Sequence, residues 1–127
     1  MRFLVLRDEE PPDDAVVVVR GGEMASEYVR RTARDAFEET GVHSVSVYLA
    51  LDSPIEDLCT GEPFLARYGK VRLSTAGRLR RAGFVLLATL ARPHYDVVLA
   101  DIGDETLLRL DGCFDAPVEN PGRRLDG

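Results

Sequence analysis

The chain has 127 residues, enough for one domain with a real core but leaving little room for a second. Its 45% hydrophobic and 30% charged content is ordinary for a globular protein, and 22 acidic against 16 basic side chains leave a net charge of −6. That balance supplies no long-range attraction to phosphate backbones and disfavours nucleic acid as a partner. No apolar run reaches membrane-spanning length, and the segment beginning Met1-Arg2-Phe3 meets charge too early for a signal peptide, which together predict a cytoplasmic protein with no membrane association.

Residues 3–6 read as a first strand, ended by the polar, proline-rich loop 8–14. Residues 15–20 are a β-branched run of the kind that is buried on both faces, broken by Gly21-Gly22. Ala25, Tyr28, Val29, Thr32, Ala33, Ala36 and Phe37 recur at intervals of three and four, which predicts an amphipathic helix over about 24–40, closed at Gly41 by a left-handed cap. Residues 45–51 form the next strand. Ser53-Pro54-Ile55-Glu56 then reads as a helix start, with serine as N-cap and proline at the first helical position.

Gly61 and Pro63 keep that helix to a turn or two. A short strand follows at 71–74, with Ser74 as the expected cap of a brief helix over 75–82 that stops at Gly83. The apolar runs 84–91 and 95–100, separated by Arg92-Pro93, predict adjacent antiparallel strands. Residues 106–110 add a last helical turn or two. The sum is a single α+β domain over residues 1–119, with a mixed or antiparallel sheet of about six strands and two to four short helices, followed by a flexible polar tail over 120–127.

Cys59 and Cys113 stand alone in apolar settings and predict two buried, reduced thiols rather than a zinc pair. Only one grouping carries chemistry. Alternation along a strand puts His94 and Asp96 on one face, and likewise Ser44, Ser46 and Tyr48 on one face of an earlier strand. With Arg20 at the end of the run 15–20, three strands bring an arginine, hydroxyls and a carboxylate within reach of one polar cleft. His94 and Asp96 also make a geometrically feasible ligand pair, but no further ligands complete a metal site.

This order of motifs resembles the ADP-ribosyltransferase family in its arginine-serine-acid variety. That family has an arginine and glycine at the end of an early strand, then a serine-containing strand, then a late strand with an acid followed by aliphatics. Here Arg20-Gly21, Ser44-Val45-Ser46 and Asp96-Val97-Val98-Leu99 stand in those places, over roughly residues 15–101. The resemblance implies that NAD is the substrate, with Arg20 and Gly21 at its phosphates and Ser46 or Ser44 orienting the nicotinamide ribose, Tyr48 being on the same strand face. Asp96 would hold the ribose hydroxyl and stabilise the cation-like sugar as nicotinamide leaves, with His94 beside it as the second catalytic candidate. It further implies a toxin of a toxin–antitoxin or defence system. The family usually has glutamate where this chain has Asp96, and an acid or glutamine where it has His94; the chain is also short for the family.

Each residue has a reading without function: Arg20 as a surface residue entering a loop, the serines as part of a solvated face, His94 and Asp96 as an exposed hairpin pair. Two other classes stay open. One is a small ribonuclease-type toxin with His94 or His43 as general base and Arg72, Arg80 or Arg81 on the phosphate. The other is a non-catalytic interaction module, because the aliphatic run 84–90, placed at a sheet edge, invites pairing with a protein partner or a second copy.

Overall fold

The protein is described here by a computed structural model over residues 6–122. Most of the strand expected at 3–6 lies outside those residues; its last member, Leu6, bridges Thr89 in antiparallel fashion. Among the described residues, five helices and six strands follow in the order β1 (Val16–Arg20), α1 (Glu27–Thr40), β2 (Ser44–Ala50), α2 (Ile55–Gly61), α3 (Pro63–Ala66), β3 (Lys70–Thr75), α4 (Ala76–Arg81), β4 (Val85–Ala88), β5 (His94–Val98), α5 (Asp104–Asp111) and β6 (Val118–Glu119). The strands form one open sheet in the order β4-β5-β2-β1-β3-β6, every neighbour antiparallel. The α+β architecture expected from the sequence is the one observed.

Strand alternation divides the core. Val17, Val19, Val45, Val47, Leu49, Tyr95 and Val97 pack with Val29 and Ala33 of α1, Leu79 of α4 and Leu107 and Leu110 of α5. A smaller cluster joins Val18, Tyr48 and Val71 to Leu58 and Cys59 of α2 and Leu65 of α3. The run 15–20 is unbroken in sequence because both of its faces are covered, with Val17 and Val18 wholly buried. Each such valine contributes roughly 1.5–3 kcal/mol relative to exposure.

α1 begins where Ser26 accepts a hydrogen bond from the Val29 amide and ends at Gly41, whose φ of 82° suits a residue without a Cβ. Two caps differ from expectation. Thr75 rather than Ser74 caps α4, because the Ser74 side chain lies on the buried face of β3. At α2 the capping position falls on Pro54, with no side-chain cap; the working cap comes one element later, where the Glu62 carboxylate accepts from the Phe64 amide and Pro63 opens α3. That extra element makes the fifth helix.

Asn120, read from sequence as the start of a polar tail, is wholly buried and donates to the carbonyls of Leu65 and Tyr68 at 2.9 and 2.8 Å. Residues 123–127 of that tail lie outside the described residues. Cys59 and Cys113 are buried free thiols, as expected. Among the described residues no helix is long and apolar enough to cross a membrane.

Candidate functional site

The site originates in a gap in the sheet. β1 pairs with β2 only from Val16–Ala50 to Val18–Tyr48. Yet β1 stays paired to β3 as far as Arg20–Val71, and β2 to β5 as far as Ser44–Val98. The two central strands therefore part beyond Val18, where Arg20 would otherwise have faced Ser46. A cavity of about 320 Å3 occupies this parting, lined by Val19 and Arg20 of β1, Val45, Ser46 and Tyr48 of β2, Tyr28 of α1, Phe64 and Leu65 of α3, and Leu90 and His94.

A second hollow of about 230 Å3 shares Thr32, Ser46, Leu90 and His94 with the first and adds Ser44, Asp96, Asp35 and Glu39. Ser46 and His94 thus stand at the junction of the two. Leu90 also borders both, in a left-handed backbone conformation (φ 57°) that costs a non-glycine residue roughly 1–2 kcal/mol.

Register sets the chemistry. The β2–β5 ladder places Ser46 opposite Asp96 and Tyr48 opposite His94, all four on one face. His94 Nε2 lies 3.0 Å from Ser46 Oγ, and His94 Nδ1 lies 2.9 Å from Thr89 Oγ1 and 3.3 Å from the Thr89 carbonyl oxygen. The Thr89 hydroxyl in turn donates to Asp96 Oδ2 at 2.8 Å. Thr89 is wholly buried and Asp96 nearly so, so little water competes for the bond between them, whereas Ser46 is exposed. The Tyr48 ring meets the His94 ring edge-on, with centroids 5.4 Å apart. Burial pushes the Tyr48 hydroxyl up to about 12, helped by the Glu62 and Asp96 carboxylates, which keeps it a neutral donor at physiological pH.

Arg20 enters the first cavity with its guanidinium stacked 4.2 Å from the Tyr28 ring centroid. A Cβ at Gly22 would collide with that guanidinium, so this glycine gives the arginine room. Among the described residues no carboxylate forms an ion pair with Arg20. A half-buried cation without a counter-charge, beside a cavity, is a ready anion site.

The structure brings Arg20, Ser46, Tyr48 and His94 to the first cavity and Ser44, Ser46, His94 and Asp96 to the second. Gly21 lines neither; a Cβ there would come within 2.8 Å of the Lys70 carbonyl oxygen, so its close approach is to β3. The polar residue missed from sequence is Thr89, along with the apolar and aromatic walls Tyr28, Phe64 and Leu90. The signal of Thr89 is slight: one hydroxyl inside the apolar run 84–91. Of the groups in the ribonuclease alternative, Arg72 is buried against Asp111, Arg80 pairs with Glu10 and Asp13, and His43 stacks on Phe37 at 4.4 Å, while His94 lines both hollows.

Compared with protein-family models, with curated proteins and with solved structures, the chain matches none.

Proposed function

We propose that this site binds NAD and cleaves its nicotinamide–ribose bond, releasing ADP-ribose or transferring it to an acceptor, as the resemblance in the sequence implies. The observation that carries the reading is the placing of Ser46 directly across the β2–β5 ladder from Asp96, beside a cavity walled by Arg20. The first cavity lies within, and the second hollow just below, the size range of small-molecule sites, roughly 300–1,000 Å3. In the reaction the C1′–N bond breaks, nicotinamide leaves with the bonding electron pair, and a nucleophile adds at C1′ and gives up a proton.

Arg20 is suited to a diphosphate, which a fixed guanidinium fork engages through paired charge-assisted hydrogen bonds. Tyr28, Tyr48 and Phe64 offer ring faces and edges for the base and nicotinamide. Ser46 and Ser44 supply hydroxyls to the nicotinamide ribose, and Asp96 the negative charge opposite the cation-like sugar. Asp96 is one methylene shorter than the glutamate of the family, and the hydrogen bond from Thr89 fixes where its carboxylate sits.

Purified protein incubated with NAD should release free nicotinamide, and Asp96→Ala should not; equal release by both would overturn the reading. We extend the proposal to a cytoplasmic toxin or defence component, consistent with two buried free thiols. The non-catalytic alternative, pairing with a protein partner or second copy, rests on Val85 and Val118. These are exposed on β4 and β6, the two edges of the sheet.

A further inference from the structure

His94 Nδ1 is held by two oxygens of one residue, the Thr89 hydroxyl at 2.9 Å and the Thr89 carbonyl at 3.3 Å. A carbonyl oxygen can only accept. The single hydrogen of the Thr89 hydroxyl is committed to Asp96 Oδ2 at 2.8 Å, so toward His94 that hydroxyl can also only accept. Both contacts therefore require the hydrogen of the neutral imidazole to sit on Nδ1. Nε2 is left with its lone pair, and its partner at 3.0 Å is the Ser46 hydroxyl, at the junction of the two hollows.

We infer that Thr89, anchored by Asp96, is a positioning residue that fixes His94 as the Nδ1–H tautomer and so makes His94 Nε2 the proton acceptor of this site, for an O–H nucleophile such as water. The inference rests on the NAD reading for its substrate and deepens it. As the C1′–N bond breaks and nicotinamide leaves with the electron pair, the oxygen nucleophile forms its bond to C1′. Its proton passes to Nε2, directly or by way of the Ser46 hydroxyl. The imidazolium so formed keeps its Nδ1–H bond to Thr89, whose own hydrogen points to the Asp96 carboxylate. The negative charge of Asp96 is thus felt at both ends of the step, at the sugar and, through Thr89, at the histidine. An imidazole held at Nδ1 offers one fixed lone pair, which suits transfer of a single proton.

The experiment reads the histidine first and turnover second. Nitrogen-15 chemical shifts of His94 in the free protein, with the ring neutral, should show Nδ1 protonated and Nε2 bare. In Thr89→Val, nearly the same shape without the hydroxyl, the long carbonyl contact alone should not hold the ring, and a mixed tautomer population should appear. Thr89→Ser should restore the original shifts. With NAD, Thr89→Val should lower kcat by about 10–100-fold with KM within about twofold, and Thr89→Ser should recover most of the loss. A protonated Nε2 in the unsubstituted protein overturns the inference whatever the variants do. So do unchanged shifts in Thr89→Val. The shifts need no NAD, so absence of nicotinamide release alongside the expected shifts would count against the NAD reading and leave the Thr89–His94 arrangement standing.

Discussion

Ser46 and Asp96 face one another across the β2–β5 ladder, and the hydrogen bonds that connect them run around through His94 and Thr89. Asp96 is therefore anchored by a neutral hydroxyl and keeps its charge for whatever enters the hollow it lines. A carboxylate that stabilises charge only as the glycosidic bond breaks affects turnover far more than binding. Asp96→Ala is expected to reduce nicotinamide release by about 100-fold or more and to leave NAD affinity within a few fold. Calorimetric titration beside a nicotinamide assay separates the two. A parallel fall in both would make Asp96 a binding group.

Arg20 is expected to behave the opposite way. A guanidinium with no carboxylate partner among the described residues gives its hydrogen bonds to a ligand without first breaking an ion pair. Charge-assisted hydrogen bonds are worth about 1.5–3 kcal/mol, so Arg20→Ala should weaken NAD binding by about 10–100-fold. Arg20→Lys should recover only part of this, because an ammonium neither forks around a diphosphate nor stacks as well on Tyr28. Unchanged affinity in Arg20→Ala would remove the phosphate role.

The sequence showed α1 and most of the strands, because Val16–Arg20 is an unbroken β-branched run, Ser44–Ala50 opens with alternation and Glu27–Thr40 repeats at helical spacing up to a glycine in the left-handed region; the two-residue β6 was not read from it. It also showed that Ser44, Ser46 and Tyr48 share a face, since alternation is local. It could not show that β5 lies against β2 with Ser46 opposite Asp96, because strand order is set by packing between segments distant in the chain. Nor could it show the parting of β1 from β2 that creates the cavity, which depends on where pairing stops. Thr89 was hidden among leucines and alanines, and Asn120 among polar neighbours, because each is placed by hydrogen bonds to residues that sequence spacing does not indicate.

The segment leading into β1 should give the protein a distinct acid response. The Tyr95 hydroxyl donates to Glu9 Oε1 at 2.6 Å, and the Arg7 guanidinium donates to the same oxygen at 2.9 and 3.1 Å. These bonds, the tyrosine first, lower the Glu9 carboxyl from its usual 4.5 to about 2. A carboxyl whose pKa is lower in the folded state contributes stability above its unfolded value and loses it as pH falls through the folded one. Glu9→Gln should therefore be less stable than the unsubstituted protein at pH 6. The gap should close between about pH 4.5 and pH 2. Urea unfolding at intervals across that range measures it, and a gap that persists at pH 2 would place the effect in packing instead.

The last prediction links stability to the site. Arg72, on β3, is almost fully buried; it donates to Asp111 Oδ1 at 2.6 Å and to the carbonyls of Asp111, Phe114 and Asp115 at 3.1, 3.0 and 2.9 Å. The same Asp111 oxygen accepts from the amide of Met24 at 2.8 Å, and Met24 lines the first cavity a few residues beyond Arg20. Burial raises the Asp111 carboxyl, but the bonds from Arg72 and Met24 outweigh it and hold the group below its ordinary value. Arg72→Met removes the donor these groups share, leaving the Asp111 carboxylate only its backbone amide bonds from Met24 and Ala25 and removing its ion-pair partner. Breaking one partner out of a buried pair costs about 3–5 kcal/mol, and the lower end applies because a third of the Asp111 side chain is exposed. The substitution should lower stability by about 3 kcal/mol and speed hydrogen exchange at the Met24 amide, since the Asp111 carboxylate that accepts from it is no longer held by Arg72. NAD affinity should fall with it while bound NAD is still cleaved, because Ser46, His94, Thr89 and Asp96 stand on β2, β5 and the turn beyond β4. A fall in kcat as large as that of Asp96→Ala would show that the cavity wall and the carboxylate do not act separately.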